Sequence, residues 1–541
     1  MDASHEHPNP PIRLWPALVL LALLAIVPIA LSHAPGSTAY SFPTNANEIR
    51  AARAFDIAHN LGHARLYAFL HNMPKGGDLH NHLTGAVYSE TFIREAAADN
   101  LCVSPTDFSL TGKPAPCAAP SFPASKAIAD QATWDNMNNA FSVRSYVPHT
   151  GFTEHDQFFS TFNRFGALDI NKHGGEWVHE IVTRAASQNE QYVEIMDVAA
   201  VPAIFGLAAK LHLRDTTDAG LADLKHQAEA AGLAQVVAAA SAEMANMDAQ
   251  RNAIEHCGTP QAQPGCTVTV RWIDSVIRDL SNEQVFTQTL VAFETTKINP
   301  NVVAVNYLRA EDWRGSVDQY AIGMRFLQWL RPQYPAAHLS LHAGELTLGI
   351  VPPEALRDHI RQAVEIAGAE RIGHGVDIGY ENDATGLLRE MAQKNIMVEI
   401  NLTSNDAILG VKGDEHPLAA YLAAHVPIAL STDDEGVSRI DITHEYVKAV
   451  EDQGFGYADL KRAARTSIEH AFLPGPSLWA PPTNRTRFVQ MFTNRVDACS
   501  DAVTPNALPP GPCKDFLNKS PRASQQYELE RRFATFESNI R

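Results

Sequence analysis

The sequence predicts a (β/α)8 barrel. Eight short β-rich runs alternate with longer segments whose apolar residues follow helical spacing, the pattern of parallel strands joined by crossover helices. No G-x-G-x-x-G follows any of the strands, which disfavours the doubly wound open sheet, the runner-up architecture. The chain has 541 residues, 45% apolar and 19% charged, enough for one large globular domain with additions at its ends.

The additions come first. LWPALVLLALLAIVPIALSHA (Leu14–Ala34) is a proline-interrupted apolar run after a single Arg13, followed by small residues at Ser32/Ala34 and Ser37/Ala39. That is the layout of a secretory signal over residues 1–39. An uncleaved signal anchor is the alternative, because the run reaches the lower length limit for spanning. Either reading exports the rest of the chain, to the periplasm or outside the cell, and the anchor reading leaves it tethered. NANEIRAARAFDIAHNLGHARLYAFLHNM (Asn45–Met73) carries apolar residues at helical spacing and reads as one or two helices, an N-terminal extension over residues 40–72.

The barrel is expected over residues 73–472. Its first strand is GDLHNHL. A Pro-, Ala-, Ser- and Asn-rich stretch from Leu101 to Thr150 reads as a long insertion, and His155–Leu168 resumes the helical pattern. The remaining strands are read at Gln191–Ala200, Thr267–Ile277, Asn301–Ala310, His338–Glu345, Arg371–Val376, Ile396–Ser404 and Val426–Asp434. Helices are read between them, among them Gly220–Gln250 and Ser316–Arg331. Residues 473–541 are turn-rich and read as a C-terminal extension wrapping the barrel.

The six cysteines fall into three local couples, Cys102/Cys117, Cys257/Cys266 and Cys499/Cys513. Six cysteines allow 15 connectivities. Nearest-neighbour pairing is favoured because the loops are short and Pro-rich; the alternative is buried reduced thiols. Disulfides agree with export. No C-x-x-C occurs, which disfavours a zinc knuckle. The net charge of −18, with no Lys/Arg run, argues against a nucleic-acid or anionic-membrane partner. Membrane contact is thus confined to the anchor alternative. The sequence leaves the oligomeric state open, a homodimer included.

The chemistry lies at the strand ends. In KGGDLHNHLTGA (Lys75–Ala86), His80 and His82 stand two residues apart and project from one side of a strand. With 23 histidines in the chain, such a pair also arises by chance in a half-exposed strand. In a barrel, however, groups at the C-terminal ends of different strands meet. Those ends bring together His80 and His82 (first strand), His342 and Glu345 (fifth), His374 (sixth), and Asp433 and Asp434 (eighth). The adjacent carboxylates of STDDEG repel each other unless a cation or hydrogen-bond donors compensate. Three neutral imidazoles and one carboxylate suit zinc with a position left for water, whose pKa a metal lowers toward 7.

In these residues the sequence resembles the adenosine deaminase family of the amidohydrolase superfamily, including the secreted adenosine-deaminase-related growth factors. The resemblance rests on MPKGGDLHNHLTGA, LHAGE, RIGHG, NLTSN after the seventh strand and STDDEG, with HDQFFSTF similar to the family's aromatic helix, and it covers about Met73 to Ala471. It implies a (β/α)8 barrel of the metal-dependent hydrolase kind and one zinc per chain on His80, His82, His342 and Asp433. It also implies that Glu345 protonates the purine ring nitrogen, that His374 orients and helps deprotonate the water, and that Asp434 contacts water and the purine edge. Binuclear amidohydrolases carry a modified lysine at the end of the fourth strand; NVVAVNYLRAED has none, which favours one metal.

Two departures bear on the substrate. Thr84 stands where the family usually has the Asp that meets the ribose. In NYLRAED, Asn306 falls near the family's Asp, and Arg309 or Ala310 near its glycine beside the purine. The expected activity is deamination of adenosine or 2′-deoxyadenosine to the inosine product and ammonia. A different aminopurine, a modified adenosine or an amide substrate is the second reading. A growth-factor-like binding protein is the third, opposed by Glu345 beside the metal set, since a binder has no use for a general acid there.

Overall fold

The computed structural model describes residues 45–481, 492–501, 503, 505, 509 and 511–540. The apolar run Leu14–Ala34 lies outside them. Among the described residues no helix is long and apolar enough to cross a membrane.

Eight parallel strands follow one another around a single sheet in sequence order. They are β1 (Gly76–His82), β2 (Glu190–Asp197), β3 (Thr269–Ile277), β4 (Val302–Leu308), β5 (His338–Ala343), β6 (Arg371–His374), β7 (Met397–Ile400) and β8 (Ile428–Leu430). Just past β8, Asp433 pairs with Asn81 of β1 and closes the barrel. The His82 N–H donates to the Asp433 carbonyl at 3.2 Å, and the Asp433 N–H donates to the His80 carbonyl at 2.8 Å. The chain is thus a (β/α)8 barrel; six strands fall inside the runs that predict them, and β1 and β2 each begin one residue earlier, at Gly76 and Glu190. The strands are near-continuously buried because helices cover the outside while side chains fill the inside.

Part of that inside is ionic. Arg371, at the start of β6, sets Nε 2.6 Å from Glu399 Oε1 and Nη2 2.7 Å from Glu194 Oε2, and none of the three side chains has exposed surface. Phe472 closes the floor, with its ring 4.0 Å below the Arg371 guanidinium and stacked on His338. A buried pair of this kind is costly unless every charge finds a partner. Here Arg371 has two carboxylates, and Glu399 turns its second oxygen toward His80 at the C-terminal end of the barrel.

The N-terminal segment forms two helices, α1 (Ala46–Asn60) and α2 (His63–Asn72), broken at Gly62, whose φ of +99° favours glycine. The insertion is more ordered than its composition predicts. Leu101–Val103, Leu110–Pro114 and Phe122–Pro123 form a three-stranded antiparallel sheet bridged by Cys102–Cys117. Cys257–Cys266 and Cys499–Cys513 are bridged as well, and no described cysteine is free.

Two helical expectations need correction. The single helix read over Gly220–Gln250 is two, Asp218–Ala231 and Leu233–Ile254, because Gly232 turns the chain at φ +113°. The tail holds a 19-residue helix, Pro521–Asn539, where turns were expected. It buries Leu529 and Phe533, and Arg465 grips Glu530 through two contacts of 2.7 Å.

Candidate active site

The predicted ligand set converges at the C-terminal end of the barrel. β1 carries an extra residue between Asp78 and Asn81 relative to β2, a bulge of the kind that re-aims side chains beside active sites. Past it, Nε2 of His80 lies 3.1 Å and Nε2 of His82 lies 3.2 Å from Nε2 of His342. Asp433 Oδ1 lies 3.4 Å from His80 Nε2 and 3.2 Å from His82 Nε2. A tetrahedral ion with bonds of about 2.0–2.2 Å sets its ligand atoms about 3.3–3.6 Å apart. The four atoms therefore enclose a space of metal size.

The outer contacts of the rings say what faces that space. His80 Nδ1 donates to Glu399 Oε2 at 2.7 Å, and His342 Nδ1 donates to Asn306 Oδ1 at 2.9 Å. Each ring has thereby placed its one proton outward, leaving bare lone pairs on nitrogens in close contact. That arrangement calls for a cation. With protons alone, burial works against charge on His80, but hydrogen bonds to Asp433 and Glu399 hold its pKa up to about 10. His342 is pushed well below 6.5, by burial first and then by the charge of His80. One positive charge is thus demanded where three imidazoles meet, and a divalent ion meets that demand on all three. The residues fit zinc.

Glu345, His374 and Asp434 stand beside this set. His374 Nε2 lies 3.6 Å from Glu345 Oε1 and 3.9 Å from Asp433 Oδ2. Burial, then the charges of Asp433 and Glu311, raise the Glu345 carboxyl well above its ordinary 4.5, which favours its acid form. Asp434 is likewise raised, by burial and then by Asp433. Gly85 is required under it: a Cβ there would lie 1.4 Å from Asp434 Oδ1.

The site stores backbone strain. His374 has φ +68°, Asp433 +60° and Arg309 +113°, in the left-handed region that non-glycine residues rarely enter. Arg309 therefore occupies a glycine-like conformation. Its guanidinium lies over Trp313 at 4.6 Å and 3.6 Å from Asp279, and Arg278 holds its carbonyl at 2.9 Å. Ala310 is fully buried, with its carbonyl accepting from Ser316 Oγ at 2.8 Å. Of the two positions expected beside the purine, Arg309 is the one whose backbone conformation favours glycine. Thr84 is half-buried in the short helix Leu83–Ala86 directly after the first two histidines.

Several supporting residues escape a reading of strand ends. Glu399 and Asn306 orient His80 and His342. Glu311 accepts the N–H groups of Gly344 at 3.1 Å and Glu345 at 2.9 Å, fixing the loop that carries the carboxyl. The signal for Glu399 is a charge inside the buried run IMVEI; for Asn306 it is a polar residue inside VVAVNYL.

The adenosine deaminase family model matches residues 178–478. An adenosine deaminase of Shewanella loihica is 38% identical over 136 residues, and one of Escherichia coli is 37% identical over 137. Each match covers 25% of this chain and 38% of the relative's length. Among solved structures, an N6-methyl-AMP deaminase of Arabidopsis thaliana superimposes with a TM-score of 0.48 at 18% identity, covering 75% of this chain and 94% of that one.

Proposed function

The chain belongs to the adenosine deaminase family, and from that premise we propose that it is a zinc-dependent hydrolytic deaminase of purine nucleosides. Adenosine or 2′-deoxyadenosine would give inosine or deoxyinosine and ammonia. The observation that carries the proposal is the meeting of three imidazole nitrogens and Asp433 around a metal-sized space, with the buried Glu345 carboxyl, its pKa raised, 3.6 Å from His374.

A divalent ion held by His80, His82, His342 and Asp433 would supply the Lewis acidity that makes hydroxide available near neutral pH. Glu345 gives its proton to the ring nitrogen beside the carbon that bears the amine. The water oxygen adds to that carbon and becomes its carbonyl oxygen. Of the water's two protons, one passes to the amine, which leaves as ammonia when the carbon–amine bond breaks, and the other restores the Glu345 acid. His374 orients the attacking water, and Asp434 contacts the water and the purine edge. One ion per chain is supported by β4, whose residues VVAVNYL include no lysine to bridge a second.

Thr84 and Arg309 are proposed to meet the sugar and the purine edge. They also favour a second substrate reading, a modified adenosine or another aminopurine, because both differ in size and charge from the residues the resemblance implies. Ammonia release from a panel of aminopurines, free, ribosylated and 5′-modified, tests the substrate. Release from none of them would remove the purine assignment.

The same proposal places the enzyme outside the cytoplasm, supported by three short-range disulfides. It assigns residues 1–39 to a signal or anchor, 40–72 to a helical extension, 73–472 to the catalytic barrel and 473–541 to a C-terminal extension.

A further inference from the structure

His374 is not held by the barrel alone. Asn405, in the helix Leu402–Leu409 after β7, sets its Nδ2 2.9 Å from Nδ1 of His374. The Oδ1 of Asn405 lies 3.0 Å from Nε2 of His416, and Nδ1 of His416 accepts the Leu418 backbone N–H at 3.2 Å. His416, Asn405 and His374 are 2%, 0% and 0% exposed, so no bulk water competes with this chain of contacts.

The direction of every proton in the chain is dictated from its far end. A backbone N–H can only donate, so Nδ1 of His416 carries a lone pair. Burial, then Lys448, lowers the pKa of His416 to about 4, so the ring is neutral and its one proton is on Nε2. That proton goes to the Asn405 oxygen, which turns the Asn405 amine toward His374. Nδ1 of His374 therefore accepts, and Asn401 Nδ2 approaches the same nitrogen at 3.4 Å as a second donor. The proton of a neutral His374 must then lie on Nε2, the atom that faces the site and finds no hydrogen-bond partner among the described residues.

We infer that His416 and Asn405 are positioning residues that fix His374 as the Nε2–H tautomer, so that it presents an N–H donor, not a lone pair, to the attacking water. Only the use of that N–H rests on the deaminase reading; the tautomer itself does not. The attacking oxygen as hydroxide has three lone pairs: a donor at this position engages one, the ion would take a second, and the third is left for the substrate carbon. A nitrogen that already bears a proton does not take the water's, so His374 orients the water and does not deprotonate it through Nε2.

The test is nitrogen NMR of zinc-loaded protein labelled with 15N-histidine, with the His374 signals identified by their loss in His374→Gln. The wild type should show the Nε2–H tautomer. Asn405→Asp replaces the donor with an acceptor and should move the proton to Nδ1. Neither residue is a metal ligand, so zinc content should stay at one per chain while kcat falls about 100-fold and KM changes little, the size expected when a catalytic group is mis-set. Should Asn405→Asp fail to fold, His416→Phe carries the test, because it frees the Asn405 amide to rotate and should give a mixture of tautomers. A wild-type Nδ1–H signature, or an unchanged His374 signature in the variant that folds, would overturn the inference. Failure to deaminate any purine would overturn the functional reading while leaving the NMR result to decide this one.

Discussion

Glu399 accepts the Nδ1 proton of His80 at 2.7 Å, and neither side chain has any exposed surface. The other oxygen of Glu399 meets Arg371 Nε at 2.6 Å and Ser340 Oγ at 2.6 Å. The carboxylate thus joins the barrel floor to the metal set and fixes which nitrogen of His80 stays bare.

Replacing it should therefore be felt at the metal. Glu399→Gln keeps the shape but removes the charge that orients His80, and metal affinity should fall about 10–100-fold. Competition with a chelator of known affinity measures this. Wild-type affinity in the variant would remove Glu399 from the ligand-orienting role.

Ligand and acid should separate cleanly on mutation. Asp433→Asn substitutes a neutral amide for an anionic ligand and should lose most bound zinc together with turnover. Glu345→Gln should keep the zinc and lose at least about 100-fold in rate, as for loss of a general acid. Elemental analysis beside steady-state rates checks both.

Arg309 predicts a trade between strain and fit. A non-glycine residue at φ +113° costs roughly 1–3 kcal/mol, while the stack on Trp313 returns about 0.5–1 kcal/mol. Arg309→Gly should therefore stabilise the fold by about 1 kcal/mol in urea unfolding. A destabilised variant would mean that the guanidinium contacts outweigh the strain.

Thr84→Asp should restore a charge-assisted acceptor toward a ribose hydroxyl. Such a bond is worth about 1–2 kcal/mol more than a neutral one, or roughly 5–30-fold in kcat/KM for adenosine. No gain would separate Thr84 from the ribose.

Glu311 sets a pH dependence of stability. Burial opposes its charge, but Arg278, His359 and the Glu345 N–H hold its pKa down to about 2. A carboxylate depressed in the folded state contributes stability above its unfolded pKa near 4.5, and that contribution fades as pH falls toward 2. The drop is about 3 kcal/mol across that window. Glu311→Gln should be less stable at pH 7 and should lose less between pH 5 and pH 3 than the wild type; parallel acid unfolding curves would contradict this.

The strand-end rule made the convergence of His80, His82, His342, Glu345, His374, Asp433 and Asp434 legible because a parallel barrel gathers those ends; which four of them form the ligand set came from the family resemblance. What supports them was not legible. Glu399 and Asn306 sit among apolar neighbours in buried strands, where sequence shows that a polar group is present but not which ring it meets. Asn405 belongs to a quoted motif, yet its partner His416 lies in a separate loop, and only packing brings the two together. Gly232 interrupts a helical pattern that periodicity carries straight through it. The tail helix buries a stripe too thin to outweigh its charged residues.

The most direct measurement is ammonia release from adenosine by the zinc-loaded protein, beside metal-stripped protein and Glu345→Gln. The account predicts inosine and ammonia in equal amounts from the loaded enzyme, recovery of the stripped enzyme on adding zinc, and at least about 100-fold less from the variant. Equal rates in all three, or no ammonia from adenosine, 2′-deoxyadenosine or adenine with zinc bound, would contradict it.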